Sequence, residues 1–154
     1  MSKDKKQHKT IKLVSPEREV HVHINFIPTT ESPFSPGYAY THGAMATVGH
    51  SEIIVFGLSR DNATSILKDL LWRIVVKNEP LKVNHVYQDI LAGHRAVFHE
   101  LDIAKSQKYF SDHNKDDRPR KVMQLIWPDT NDLFPWETGF EETLRKLQPI
   151  LGVH

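Results

Sequence analysis

The sequence contains no cysteine, and this absence excludes several kinds of chemistry. Disulfide bonds, zinc sites built from thiolates and cysteine nucleophiles all need the side chain that is missing. A chain without cysteine is also at home in a reducing compartment, so we expect a cytoplasmic location.

Long apolar runs and a strong net charge are missing as well. No stretch approaches the roughly 20 apolar residues of a membrane span, and the lysine-rich start has no apolar core of a signal peptide. Twenty basic and nineteen acidic residues leave a net charge of +1. Because nucleic acids and anionic membranes are attracted by a strong positive field, we expect neither as a partner.

The composition that is present predicts one folded domain. With 154 residues, 39% of them hydrophobic, the chain can bury a core of its own. Residues 1–10 are polar and rich in lysine, which predicts a disordered basic tail. The remaining residues, 11–154, are expected to form a single domain.

Hydrophobic periodicity predicts the fold class. Alternation of apolar and polar residues, or a short apolar run, indicates strands at residues 19–27, 37–42, 52–57, 95–101 and 122–127. The run at residues 53–56 is continuously apolar and predicts a strand covered on both faces, at the centre of the sheet. Together these segments favour an α+β domain with a mostly antiparallel sheet of about five strands and two or three helices. A split or closed β-barrel with added helices is the alternative.

Helix signals occur at three places. Ser59 can cap a helix whose apolar residues recur at helical spacing as far as Asn78. Asp102 can cap a second helix that runs to residue 110, and residues 140–151 predict a short terminal helix. Residues 85–91 fit either a strand or a helical turn. The charged residues 111–120 indicate a mobile surface loop.

The most informative segment is QLIWPDTNDLFPWE at residues 124–137, which places two tryptophans and two prolines around one turn. Pro128 ends the strand before it, because proline has no backbone N–H to donate, and the following Asp and Asn residues favour a turn. Trp127, Asp129 and Trp136 are candidate ligand or partner contacts. The competing interpretation is that they only pack and cap the turn.

This segment, with LRKLQPILG behind it and PGYAYTHG and GHSEIIVFGL upstream, resembles an uncharacterised bacterial family, the domain of unknown function 4262. The resemblance covers residues 38–152. It implies a bacterial single-domain protein, and it carries no activity.

A second group of candidates lies around the glycine-containing connection at residues 43–49. Tyr40, His42, His50 and Glu52 gather hydrogen-bonding groups there, and loops carry binding residues more often than regular elements do. Two histidines and a carboxylate suit zinc or non-haem iron. His42 and His50 are nevertheless weak candidates for metal ligands, because no helix holds them at i, i+4 and no HExxH motif is present, so no metal site is predicted.

A further histidine pair, His21 and His23, shares one face of a strand. Without a third ligand nearby, this pair is interpreted as facing solvent.

No catalytic motif accompanies these candidates. A serine in a G-x-S-x-G turn, a phosphate loop and a dinucleotide fingerprint are all missing from the sequence, which identifies no cofactor and no oligomeric state. We therefore predict a binding module for a protein partner or a small molecule, with a protein-interaction or defence role as one version. The alternative is a small-molecule enzyme with a histidine and carboxylate site. Either site is expected in one groove between residues 38–50 and 127–136.

Overall fold

The computed structural model describes residues 5–152, and its main feature is an open seven-stranded sheet. In chain order the strands are β1 (Gln7–Ser15), β2 (Arg18–Ile27), β3 (Thr30–Glu31), β4 (Phe34–Ser35), β5 (Tyr38–His42), β6 (Glu52–Phe56), β7 (Val86–Leu91), β8 (His94–Glu100) and β9 (Val122–Ile126). Strands β3 and β4 pair with each other, and the large sheet has the order β1-β2-β5-β6-β9-β8-β7. Its neighbours are antiparallel except for the parallel pair β6 and β9.

This arrangement confirms the predicted α+β fold with a mostly antiparallel sheet. The barrel alternative is wrong, because β1 and β7 are edge strands that do not meet. The large sheet has seven strands instead of about five, since the ambiguous segment is strand β7 and an additional strand, β1, precedes β2.

Strand β1 begins inside the segment that the composition indicated as a disordered tail. Gln7 pairs with Phe26, and the ladder continues without interruption to the tight connection between β1 and β2. A hairpin partner supplies backbone hydrogen bonds that composition does not register, and lysines are well tolerated on an edge strand. Residues 1–4 of the predicted tail lie outside the described residues.

The predicted central strand is confirmed, since β6 is the fourth of seven strands and all five of its residues are buried. Helix α2 (Arg60–Val75) covers one face of the sheet, after the short helix α1 (Ala44–Val48). The Ser59 hydroxyl oxygen accepts the first-turn N–H of Asn62, as predicted for the cap. Within residues 5–152, no helix combines the length and the apolarity that a membrane crossing requires.

The opposite face is covered by the segment after β8. Helix α3 (Ile103–Ser106) continues into a 3₁₀ turn (Gln107–Phe110), and its aromatic residues pack on β5. The Tyr38 hydroxyl donates to the carbonyl oxygen of Tyr109 at 2.8 Å. Tyr40 and Phe110 pack edge to face, with ring centroids 5.1 Å apart. The charged residues that follow are therefore held above β5 as well.

The predicted terminal helix is wrong, because only a 3₁₀ turn (Glu142–Leu144) forms there. The chain beyond it runs past the buried side chain of Gln124, whose amide nitrogen donates to Pro149 O and whose oxygen accepts from Leu151 N. Pro149 has no N–H for a helical bond, so pairing with Gln124 outweighs the local helical pattern.

Candidate functional site

The His42 loop and the aromatic turn lie at opposite ends of the central strands. In the sheet register Glu52, which follows the His42 loop, is beside Val122, where β9 begins. Trp127 follows the other end of β9, and its indole N–H donates to Phe56 O at 2.7 Å. A five-residue strand spans about 13 Å, and this distance separates the His42 loop from Trp127. Tyr38, at the start of the first segment, is beside Phe56 at the Trp127 end. A groove common to residues 38–50 and 127–136 stays a prediction.

Asp129 holds the aromatic turn together. Its buried carboxylate accepts from the backbone N–H groups of Asn131 and Leu133 at 2.9 Å, and from that of Glu141 at 3.0 Å. Burial acts to raise the pKa of Asp129, but the three amide donors outweigh it and hold the pKa below its ordinary value. A carboxylate engaged in this way builds the turn and remains ionised.

The other two carboxylates of the turn are held by Arg95. Its guanidinium donates to Asp132 at 3.0 Å and to Glu137 at 2.6 Å. The Arg95 backbone N–H is the main cause that lowers the pKa of Asp132, and the Phe134 N–H is the main cause for Glu137. Neither group has the raised pKa that a general acid at neutral pH needs.

The tryptophans differ in exposure. Trp127 is partly buried against the core below α2, whereas Trp136 is 44% exposed and stacks on Phe134 and His99 with ring centroids 5.0 Å apart. A partner contact at Trp136 stays a prediction.

Two of the candidates around residues 43–49 are already hydrogen-bonded to the protein backbone. His50 Nδ1 donates to Ser51 O at 2.8 Å, and its Nε2 accepts from Leu81 N at 3.0 Å. The buried carboxylate of Glu52 accepts from Thr41 Oγ1 and from three successive backbone N–H groups, those of residues 43–45. The weak metal set of His42, His50 and Glu52 is therefore not assembled.

His42 instead meets two residues of the segment above β5. One ligand atom each from His42, His113 and Asp117 lie within 4.8 Å of one another. The His42 and His113 rings stack with centroids 4.5 Å apart. His42 Nε2 is 3.8 Å from one carboxylate oxygen of Asp117, and His113 Nδ1 is 3.6 Å from the other. This cluster has the residue types and the convergence of a metal site.

Tyr40 supports the cluster from below. Its hydroxyl lies 2.7 Å from His113 Nε2, the ring nitrogen that does not face Asp117. Tyr40 is buried, and burial raises its pKa, so the phenol stays protonated. The contact fixes the orientation of the His113 ring.

Two more histidines, on neighbouring strands of the sheet, continue from His42. His23 on β2 pairs in register with His42 on β5, and their ring centroids are 6.5 Å apart. His8 on β1 stacks on His23 at 4.8 Å. Burial is the main cause that lowers the pKa of His23 and of His113, and a neighbouring histidine adds to the effect in each case. The lowered pKa favours the uncharged imidazole at His23 and His113, which is the form that binds metals.

Sequence reasoning missed His23, His113 and Asp117 as a group. His113 and Asp117 are four residues apart, a spacing that could have indicated a shared turn, but their charged surroundings favoured a mobile loop. His23 was noticed only with His21, because its true neighbour lies 19 positions further along the chain.

A domain of unknown function, DUF4262, matches residues 18–141. The chain belongs to this family. The matched range of this DUF4262 protein includes His23, His42, His113 and Asp117, and the family description states no activity. No curated protein and no solved structure matches the chain.

Proposed function

We propose that this protein binds a divalent transition-metal ion, with Zn²⁺ as the representative ion, at His42, His113 and Asp117. The observation that carries the proposal is the convergence of three ligand atoms within 4.8 Å, contributed by two distant parts of the chain. Imidazole nitrogen and carboxylate oxygen are ordinary zinc ligands. Mg²⁺ and Ca²⁺ prefer sites made entirely of oxygen, so two histidines select against them.

A modest contraction brings the three atoms into ligand geometry. Ligands about 2.0–2.2 Å from Zn²⁺ in a tetrahedron are roughly 3.3–3.5 Å apart, so the widest separation must close by about 1.3–1.5 Å. The Asp117 side chain is 68% exposed and lies in a short 3₁₀ turn, Lys115–Asp117, where a change of rotamer meets little resistance.

One hydrogen bond is exchanged when the metal binds. His42 Nε2 lies 2.8 Å from Asp117 O and donates to it. Binding requires the unprotonated nitrogen, so the ring proton moves to Nδ1 and the metal takes its place. This proton moves within the ring and is not lost, and the loss of one exposed hydrogen bond costs about 0.5–1.5 kcal/mol.

The position of Tyr40 fits this assignment. With a metal on Nδ1 of His113, the proton of that ring is on Nε2 and is donated to the Tyr40 hydroxyl oxygen at 2.7 Å. Histidine ligands almost always donate their second ring N–H in this way, which fixes the ring and strengthens the ligand.

A second candidate function is metal-assisted hydrolysis, the form that the predicted enzyme alternative would take. A groove of about 350 Å³, lined in part by His8, Asn25 and Tyr40, reaches His113. Three protein ligands leave a fourth position for water, which zinc can activate. The predicted protein-interaction or defence role remains a prediction, because no contact of the described residues selects it.

The chain offers a matched pair of variants for a test. Zn²⁺ is titrated by competition with a chromophoric chelator into the wild type, Asp117→Ala and its neighbour Asp116→Ala. We expect the wild type and Asp116→Ala to bind one equivalent with equal affinity. Removing the residues that hold metal ligands in place typically weakens binding 10–100-fold, so loss of the ligand itself in Asp117→Ala should weaken it by about a hundredfold or more. Equal affinities for all three proteins, or no binding by the wild type, would overturn the proposal.

A further inference from the structure

We infer that His23 is the fourth ligand of this metal site, which makes the site a closed centre of three histidines and one carboxylate. The inference rests on the proposed metal binding at His42, His113 and Asp117. It decides between the two candidate functions, because a tetrahedral ion with four protein ligands has no position left for water.

The sheet register places His23 beside the site. His23 and His42 are directly paired across β2 and β5, so both side chains rise from the same face of the sheet. Side chains paired in this way have Cβ atoms about 4.5–5.5 Å apart, within reach of one ion. The ring centroids are 6.5 Å apart. Two imidazoles on one tetrahedral ion have centroids about 5 Å apart, so the rings must approach by about 1.5 Å, as the other ligands must.

The contacts of His23 also select the nitrogen that would bind. Its Nδ1 lies 3.0 Å from Thr10 Oγ1 and 3.0 Å from His8 Nε2, both on β1. These partners can hold the ring proton on Nδ1 and leave Nε2 as the ligand atom. His23 would then donate its second ring N–H to a fixed partner, as ligating histidines normally do and as His113 does to Tyr40.

In a closed site the metal ion has a structural role. His23 and His42 belong to the sheet, whereas His113 and Asp117 belong to the charged segment above it. An ion held by all four joins β2 and β5 to residues 111–120, a segment whose own sequence has little apolar surface to hold it. The metal ions expected at this site are transition ions that accept nitrogen and oxygen donors in a tetrahedron, such as Zn²⁺ and Co²⁺.

The ligand assignment is tested with two histidines of the same strand. Zn²⁺ affinity is measured for His23→Ala and for His21→Ala, whose ring is 53% exposed beside Glu19. We expect His23→Ala to bind at least about tenfold more weakly and His21→Ala to bind like the wild type. Equal affinity of the two variants would overturn the assignment of His23.

A spectroscopic readout on the wild-type protein does not depend on how well a variant folds. Co²⁺ is bound in place of Zn²⁺, and sodium azide is added while the visible absorption is recorded. A closed site predicts an unchanged spectrum for the wild type and an azide-dependent one for His23→Ala, in which a position has opened. An azide-dependent wild-type spectrum would show an open three-ligand site, which refutes the inference and leaves the proposed function intact. Failure of the wild type to bind either ion would refute both.

Discussion

Replacing Glu52 by glutamine should destabilise the protein strongly, although the change alters only one atom of the side chain. Glu52 is 3% exposed. One carboxylate oxygen accepts from Thr41 Oγ1 at 2.8 Å and from Ala44 N at 3.2 Å. The other accepts from Gly43 N at 2.9 Å and from Met45 N at 3.2 Å. The side chain therefore caps the start of α1 and ties it to β5.

The size of the destabilisation follows from the number of hydrogen-bond donors that lose their acceptor in Glu52→Gln. Glutamine keeps one oxygen, but its NH₂ group faces two N–H or O–H donors and accepts from neither. A buried donor left unsatisfied costs about 1–3 kcal/mol, so two of them cost about 2–6 kcal/mol. The N–H groups of Gly43 and Met45, which donate to the same oxygen, are only partly buried. The expected destabilisation is therefore in the lower half of this range, about 2–4 kcal/mol. Domains of this kind are stabilised by about 5–15 kcal/mol in total.

Urea unfolding followed by the fluorescence of the three tryptophans measures the effect. The free energy of unfolding falls by about 2 kcal/mol per molar urea, so the urea midpoint of Glu52→Gln should be about 1–2 M below that of the wild type. The exposed Glu100 on β8 provides the matched control, and Glu100→Gln should stay within about 0.5 kcal/mol of the wild type. Equal midpoints for the two variants would refute the reasoning that the Glu52 carboxylate is a structural acceptor.

Two further predictions concern the edge strand and the aromatic turn. Deleting residues 1–9 removes the start of β1 and the His8 contact with His23. The loss of about 1–2 kcal/mol of stability should lower the melting temperature in a thermal scan by about 2–8 °C. An unchanged melting temperature would mean that these pairings contribute nothing to stability. The pKa of Asp129 is lowered by folding, so its stabilising effect is present above its ordinary pKa of about 4 and is lost as the pH falls through the lower folded value. Melting temperatures between about pH 5 and 2 should therefore depend less steeply on pH in Asp129→Asn than in the wild type, and identical slopes would contradict this.

Local patterns were enough to predict the parts of the fold that depend on neighbours in sequence. The unbroken apolar run of β6 requires cover on both faces, and the central place of that strand is confirmed. The spacing of apolar residues in α2, with Ser59 as its cap, predicted the main helix in the same way. In both cases the deciding interactions lie within a few residues, so the sequence contains them directly.

The same local logic failed where a distant partner decides the conformation. Residues at the start of β1 look disordered until β2 supplies the other half of the ladder. The chain end looks helical until the buried amide of Gln124 binds the backbone on both sides of Ile150. In each case backbone hydrogen bonds with a remote element outweigh a weak local preference.

The candidate site depends on tertiary structure most of all. The sequence identified His42 as a residue of interest but paired it with His50 and with the aromatic turn, because all three adjoin loops. Strand direction places that turn at the far end of the sheet, and the path of the chain after β8 brings His113 and Asp117 down on His42. Residue types and local periodicity are properties of the sequence alone. The meeting of ligands more than 70 positions apart depends on strand order, register and the packing of Tyr40 against Phe110, which exist only in the folded chain.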